Sequence, residues 1–413
     1  MNAEKAVETL KRGCIDFVGA EELEKKLVSG KTLRVKLGAD PTRPDLHLGH
    51  GVALSKMREF QDMGHTGILL IGDFTACVGD PSGRDCTRPV LSMQTVRENA
   101  ETYKAQAFKI LDPARTEIRC NSEWLGEFTG SGLCGGAAPE LLNALKRITL
   151  SRLTERDDFK QRIAKGCPIT MLELLYSVFQ GYDSVALKAD VELGGSDQIF
   201  NLLVGRDMQK DYGQEPQAVM TMPLLPGTDG MRKMSKSYGN YIGLTEAPSE
   251  IFGKVMSIPD QTMWQYYELL TREDIAAVKA MHPMAAKKKL AGILTARLHS
   301  AEAAAEALSG FEKQFSRREL PQDMPQLAVN DGTRLSRILV DGGMAPSMNQ
   351  ARQLISQGAV RLDGEKLGKD QYIVFHSLPY SPDVRVGGEA ALLVSPGAVL
   401  QAGSRRFCRL VRG

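Results

Sequence analysis

The chain has 413 residues, 42% hydrophobic and 25% charged, with a formal net charge of +2. That length predicts two or three domains, the composition is ordinary for a soluble globular protein, and the global charge does not mark a nucleic-acid binder. No apolar run is long enough to span a bilayer, so no membrane association is expected. The seven cysteines (Cys14, Cys77, Cys86, Cys120, Cys134, Cys167 and Cys408) are scattered and never spaced C-x-x-C. That pattern argues against a disulfide framework or zinc ribbon and fits a reducing, cytoplasmic setting. Glu4 and Glu8 near the start, with no apolar core segment, argue against a signal peptide.

In chain order, residues 1–32 read as an amphipathic helical lead-in with Val7, Leu10, Phe17, Leu23 and Leu27 on its apolar side. Residues 33–37 read as a strand, 47–63 as a helix stopped at Gly64, 67–72 as a fully buried strand and 94–111 as a further helix. This β-α-β rhythm predicts a parallel sheet covered by helices on both faces. Residues 112–170, with a Gly-rich tip at Gly130-Ser131-Gly132, look like an insertion. The rhythm resumes with a helix at 172–181, a strand at 189–193, a helix at 197–212 and a strand at 218–224. A helical region follows over roughly 247–310, then a polar linker at 316–332 containing Pro321 and Pro325. Residues 333–400 form a small α-then-β module. The fold class is therefore α/β, a Rossmann-type doubly wound sheet over 1–230, followed by a helical domain over 231–315 and a small α+β domain. From 333 onward there are 11 Lys and Arg against 6 Asp and Glu, a balance of +5 against −3 for the rest. A basic module on a mildly acidic body suggests a polyanion partner.

Two short strings carry most of the chemistry. His47-Leu48-Gly49-His50 opens the first sheet-associated helix. His47 and His50, three apart, share a face at a helix N-terminus, where unpaired backbone N–H groups and the dipole favour an anion. Gly49 leaves room for a nucleotide to approach. Lys233-Met234-Ser235-Lys236-Ser237 lies between Gly230 and Gly239. Such a loop can close over a triphosphate and supply charge as a phosphate bond breaks. The bland readings are a two-histidine metal site or surface histidines for the first, and a solvated basic turn for the second. No third metal ligand is near in sequence, and no protein metal site is expected. Tyr176, Gln180 and Asp183, at i, i+4 and i+7, share one face of an otherwise apolar helix, which suggests a lined pocket rather than a polar outer stripe. Asp80 lies in a tight Asp-Pro turn, followed by Arg84 and Arg88. Gly194-Gly195-Ser196-Asp197-Gln198 links a strand to a helix and allows close approach of a ribose, the alternative being an Asp-capped glycine turn.

The paired strings resemble the HIGH and KMSKS signatures of the class I aminoacyl-tRNA synthetases. The resemblance extends over nearly the whole chain to the tyrosyl-tRNA synthetases, through Gly38-Ala39-Asp40-Pro41-Thr42, Gly79-Asp80-Pro81-Ser82-Gly83, Gln180-Gly181-Tyr182-Asp183 and the Gly194–Gln198 run. It implies ATP as a substrate with Mg²⁺, L-tyrosine and tRNA(Tyr) as partners, and a homodimer joined largely through 112–170. It assigns His47, His50, Lys233 and Lys236 to catalysis. Gly38, Asp40, Gly49, Arg84, Arg88, Gly195 and Asp197 are assigned to ATP. Asp80, Tyr176, Gln180 and Gln198 are assigned to the amino acid, with Asp183 on the phenol. Many relatives carry a Tyr where Lys36 stands, so Asp183 is expected to carry more of the hydroxyl recognition here. The helical region is expected to bind the anticodon. The 333–400 module is similar to the RNA-binding domain of ribosomal protein S-four, with Arg334, Arg337, Arg352 and Arg361 expected on RNA phosphates. Rival readings are a tryptophanyl synthetase, against which Asp183 and the basic tail speak, a small-molecule nucleotidyltransferase, which would not need the C-terminal domains, and a catalytically silent RNA-binding protein.

Overall fold

Side-chain alternation along one strand organises the larger part of the molecule. In Arg34–Ala39 (β2), Val35 and Leu37 enter a large core shared with Leu48, Val52 and Phe60 of the Leu48–Asp62 helix. The intervening Lys36 turns to the opposite face, toward the Met171–Leu187 helix. Thr66–Ile71 (β3) behaves likewise: Leu69 and Ile71 join the first core, while Ile68 and Leu70 pack with Leu187. Both faces are thus covered, which a parallel sheet requires. The structure is a computed structural model that describes residues 3–81, 92–129, 138–315, 324–375, 384–403 and 406–413.

The sheet also contains Asp16–Val18 (β1), Thr116–Cys120 (β4), Val191–Gly195 (β5) and Ala218–Met222 (β6), in the order β1-β6-β5-β2-β3-β4. All neighbours are parallel except the edge strand β1, antiparallel to β6. From β2 the chain winds outward through β3 and β4, and from β5 the other way to β6. The switch point therefore falls between β2 and β5, and a crevice opens beyond their carboxyl ends. This is the doubly wound class expected from the sequence.

Two boundaries differ from the sequence reading. Residues 116–120 are an integral strand, so the expected insertion begins only after Cys120, with the helices Ser122–Phe128, Ala138–Leu145, Leu150–Leu153 and Asp157–Ala164. Gln326–Val329, placed in the linker by the sequence reading, is a strand parallel to Arg406–Arg412. The tip 130–132, Arg84, Arg88 and Pro321 lie outside the described residues.

The chain divides into Met1–Phe311 and Glu312–Gly413. The helical stretch after the KMSKS loop belongs to the first unit, since Ile251, Phe252, Tyr266, Tyr267 and Leu290 share a core with Leu48 and Val52. The second unit has its own core, including Leu335, Ile338, Ile355, Val360 and Leu400. It combines the helices Leu335–Asp341 and Met348–Ser356 with a five-stranded and a three-stranded sheet.

Candidate active site

The crevice at the switch point is a cleft of about 430 Å³ lined by the ends of β2 and β5, both histidines, Lys233 and the polar face of the Met171–Leu187 helix. Gly38 faces open space where a Cβ would project, so the strand end is bare toward the cleft.

At the cleft mouth the two histidines cap their own helix. His47 Nδ1 accepts from the Gly49 N–H at 3.1 Å, and His50 Nδ1 accepts from the His47 N–H at 3.2 Å. With Nδ1 occupied as an acceptor in each, a neutral ring carries its proton on Nε2. Desolvation lowers the pKa of both rings; next in order come the partner His50 for His47 and Lys236 for His50. Both rings are therefore neutral Nε2–H donors at pH 7. Gly49 has a local reason: a Cβ there would meet His47 Cε1 at 2.8 Å.

The segment that follows the Lys233–Ser237 loop is fastened to this helix start by backbone pairing. Leu48 N–H donates to the Ile242 carbonyl at 2.9 Å, and Leu244 N–H to the Leu46 carbonyl at 3.1 Å. Met234 is 5% exposed and anchors the loop in the main core. The lysines on either side of it face carboxylates: Lys236 pairs with Asp45 and Lys233 lies 4.0 Å from Asp197.

Deeper in the cleft, Tyr176 OH donates to Asp40 Oδ2 at 2.9 Å, and Thr75 Oγ1 donates to Asp40 Oδ1 at 2.7 Å. Gly72 admits this carboxylate, because a Cβ there would sit 2.0 Å from Asp40 Oδ1. Desolvation, helped by the nearby Asp80, raises the Asp40 pKa to about 7, despite those two donors. Asp80 accepts from Gln198 Nε2 at 2.9 Å. Gln180 Oε1 is buried and accepts no hydrogen bond from any described residue. At the inner end Asp183 is 2% exposed. It accepts from Trp124 Nε1 at 2.8 Å and from Asn121 Nδ2 at 3.3 Å. Burial pushes its pKa up to about 7, with Lys36 and those two donors pulling the other way. Desolvation likewise raises the pKa of Asp197, against the pull of Lys233.

One wall thus presents acids and an unsatisfied acceptor, and the mouth presents N–H donors and ammonium groups. That polarity suits a substrate with an ammonium end and a nucleotide with a polyphosphate. Residues 29–316 match the family described as tRNA synthetases class I (W and Y). The chain belongs to that family. Residues 317–378 of this class I synthetase match a further family, the Tyrosine--tRNA ligase SYY-like C-terminal domain. The tyrosine--tRNA ligase of Oleidesulfovibrio alaskensis is 47% identical over 422 residues, covering 100% of both chains. That of Aquifex aeolicus is 46% identical over 418 residues, again covering 100% of both. Among solved structures, a C-terminally truncated Coccidioides posadasii mitochondrial tyrosyl-tRNA synthetase superposes with a TM-score of 0.60 at 23% identity, covering 75% of this chain and 92% of that one. Tyrosyl-tRNA synthetase from Archaeoglobus fulgidus, complexed with L-tyrosine, gives 0.59 at 22%, covering 75% and 100%. These two likenesses speak to the fold.

Within the synthetase cleft the fold brings together His47, His50, Gly38, Asp40, Gly49, Asp80, Tyr176, Gln180, Asp183, Gly195, Asp197, Gln198 and Lys233. Arg84 and Arg88 lie outside the described residues. Sequence reasoning missed Thr75, Gly72, Asn121 and Trp124. The position of Asn121 directly after β4, at a carboxyl end of the sheet, was the available signal.

In the second unit, three of the four arginines expected on RNA are paired with acids. Arg334 meets Glu389 at 3.1 Å and stacks on Tyr372, Arg337 meets Asp341 at 2.9 Å, and Arg352 meets Asp370 at 3.4 Å. Arg361 donates to the Gly364 carbonyl at 3.0 Å.

Proposed function

We propose that the chain is a tyrosine--tRNA ligase that activates L-tyrosine with ATP and then charges tRNA(Tyr). The observation that carries this reading is the acid-lined inner cleft, where Gln180 Oε1, which accepts from no described residue, and the Asp80 carboxylate suit an ammonium group and buried Asp183 suits a phenolic hydroxyl. The tyrosine carboxylate attacks the α-phosphate of ATP, a new P–O bond forms, the α–β bridge breaks and pyrophosphate leaves. The terminal ribose hydroxyl of tRNA then attacks the tyrosyl carbonyl and AMP leaves.

The residues position and stabilise charge rather than bond to substrate. Asp80, Tyr176, Gln180 and Gln198 hold the amino-acid end, and Asp40 orients Tyr176. Asp197 and Gly195 take the ribose. The Nε2–H groups of His47 and His50 meet charge growing on phosphate, joined by Lys233 and Lys236 from the loop. Mg²⁺ accompanying ATP would supply further positive charge for the triphosphate. Among the described residues no group of three or more His, Cys, Asp or Glu side chains is arranged to hold a metal.

The second unit binds tRNA through Arg334, Arg337, Arg352 and Arg361, while 231–315 approaches the anticodon. A homodimer through the 112–170 region is supported by the exposed apolar side chains of Leu142, Leu150 and Ile163. The cytoplasm is the compartment proposed, since the scattered cysteines Cys14, Cys120, Cys167 and Cys408 carry no disulfide, as suits a reducing setting. ATP–pyrophosphate exchange across all twenty amino acids tests the reading. Exchange with tyrosine is expected, and exchange with tryptophan alone, or with none, would sink it.

A further inference from the structure

A buried ion pair lies under the inner cleft. Lys36 is 0% exposed and Glu192 1%, and Lys36 Nζ lies 2.8 Å from Glu192 Oε1. The ammonium also donates to the Gln180 carbonyl at 3.1 Å and to Ser184 Oγ at 2.9 Å. Ser184 Oγ in turn donates to Glu192 Oε2 at 2.9 Å, and Gln217 Nε2 donates to the same oxygen. All three donors on Lys36 are therefore used, and both oxygens of Glu192 are satisfied. Gln180 and Ser184 bracket Asp183 on one turn of the Met171–Leu187 helix. The cation is thus held by β2 and β5 against the turn that presents the carboxylate to the cleft.

Such a pair is a poor way to gain stability. Taking two charges out of water costs several kcal/mol each, and a well-packed apolar pair is often as stable. What an apolar pair cannot supply is a fixed positive charge beneath Asp183. The groups facing Asp183 are Lys36 from β2, Glu192 from β5, Asp40 past the end of β2, Tyr176 from its own helix, and the neutral donors Asn121 and Trp124. On neighbouring elements, Asp73 is bonded to Ser122, and Arg206 to Glu22 and the Gln217 carbonyl. Lys36 favours the ionised carboxylate, whereas Glu192 and Asp40 oppose it.

We propose that Lys36, pinned by Glu192, is a positioning residue that fixes the Gln180–Ser184 turn and keeps Asp183 ionised as the acceptor for the substrate's phenolic hydroxyl. The proposal rests on the tyrosine reading above. It gives the position of Lys36 a role through Asp183 and not through direct contact with substrate.

Opposite signs test it. Tyrosine and phenylalanine activation are measured from pH 6 to 9 by pyrophosphate exchange in the full chain, its Lys36→Met, Lys36→Arg and Glu192→Gln variants, and the Lys36→Met/Glu192→Gln double variant. Circular dichroism checks folding. Lys36→Met should move the rise of tyrosine kcat/KM to higher pH by about one unit, so that the tyrosine-to-phenylalanine ratio at pH 7 falls about fivefold and recovers toward pH 9. Glu192→Gln should move the rise to lower pH, the double variant should fall between the two, and Lys36→Arg should stay near the parent. If both single variants lose activity with no displacement of the profile, or move it the same way, Lys36 is only structural and the proposal is overturned. Should Lys36→Met fail to fold, the direction of shift in Glu192→Gln and in the double variant still decides. A parent chain that does not activate tyrosine refutes the functional reading instead, so the two failures are distinguishable.

Discussion

Lys236 of the Lys233–Ser237 loop and Asp45, two residues ahead of His47, form an ion pair at the mouth of the cleft. On the proposed reading, a triphosphate has to compete with Asp45 for the loop ammonium. An interaction exchanged in this way lowers the barrier most if it is completed as charge builds on the departing phosphates.

Lys236→Ala and His50→Ala should each slow adenylate formation by about 10²-fold, roughly 3 kcal/mol of transition-state stabilisation, while tyrosine affinity changes little. Single-turnover kinetics with separate equilibrium binding checks this. An unchanged chemical step would remove both residues from catalysis.

Asp183→Ala should depress activation of tyrosine far more than that of phenylalanine, because only tyrosine offers a hydroxyl. Trp124→Phe should act in the same direction but more weakly, since it removes the indole N–H that meets Asp183 at 2.8 Å. A hydrogen bond to a charged group is worth about 1.5–3 kcal/mol, or roughly ten- to a hundredfold. Equal losses for both amino acids would make Asp183 a structural residue.

The same carboxyl group predicts a pH dependence of stability. Burial raises the Asp183 pKa from 3.8 to about 7. Between those values the folded chain keeps a proton that the unfolded chain releases, so this group's contribution to stability is complete below the lower value and falls as pH rises to the upper one. Urea unfolding at pH 5 and pH 8 should show a shallower loss in Asp183→Asn than in the parent. The readout is the difference in slope, which is insensitive to any packing change; identical slopes would mean Asp183 does not titrate in that window.

Ending the chain after Phe315 should leave pyrophosphate exchange with tyrosine nearly intact, because the residues assigned to ATP and tyrosine all precede Ser237 and belong to Met1–Phe311. Aminoacylation should drop, and tRNA binding should show a flatter salt dependence once basic contacts are removed. A truncated chain that charges tRNA as well as the full one would show that the second unit is dispensable.

Local periodicity made the sheet order's central strands legible, and it put Tyr176, Gln180 and Asp183 on one helical face, as the fold also has them. It failed where apolar runs are absent. Residues 116–120 alternate Thr, Glu, Ile, Arg and Cys and are half-buried throughout, as suits an edge strand, so nothing in them announces membership of the main sheet. The partners of Asp183 come from 121 and 124, about sixty residues away in sequence. Likewise Lys36 meets Glu192 only because β2 and β5 are neighbours. Side-chain pairing across a switch point is a property of topology, and spacing along the chain does not encode it. The role of Gly49 was read as room for a ligand, whereas its nearest constraint is the ring of His47.

The arginines of the second unit carry a consequence for selectivity. Arg334, Arg337 and Arg352 each hold a carboxylate of their own chain. A nucleic acid that offers only loose charge must displace those carboxylates and gains little by it, whereas a backbone whose phosphates fit the surface can displace several together. The module would thus be guarded against the mass of unrelated RNA around it, discriminating by the cost of exchange instead of by reading bases. Added salt would loosen the internal pairs as well as the external ones, so the measured salt slope should be smaller than the count of arginines at the surface suggests.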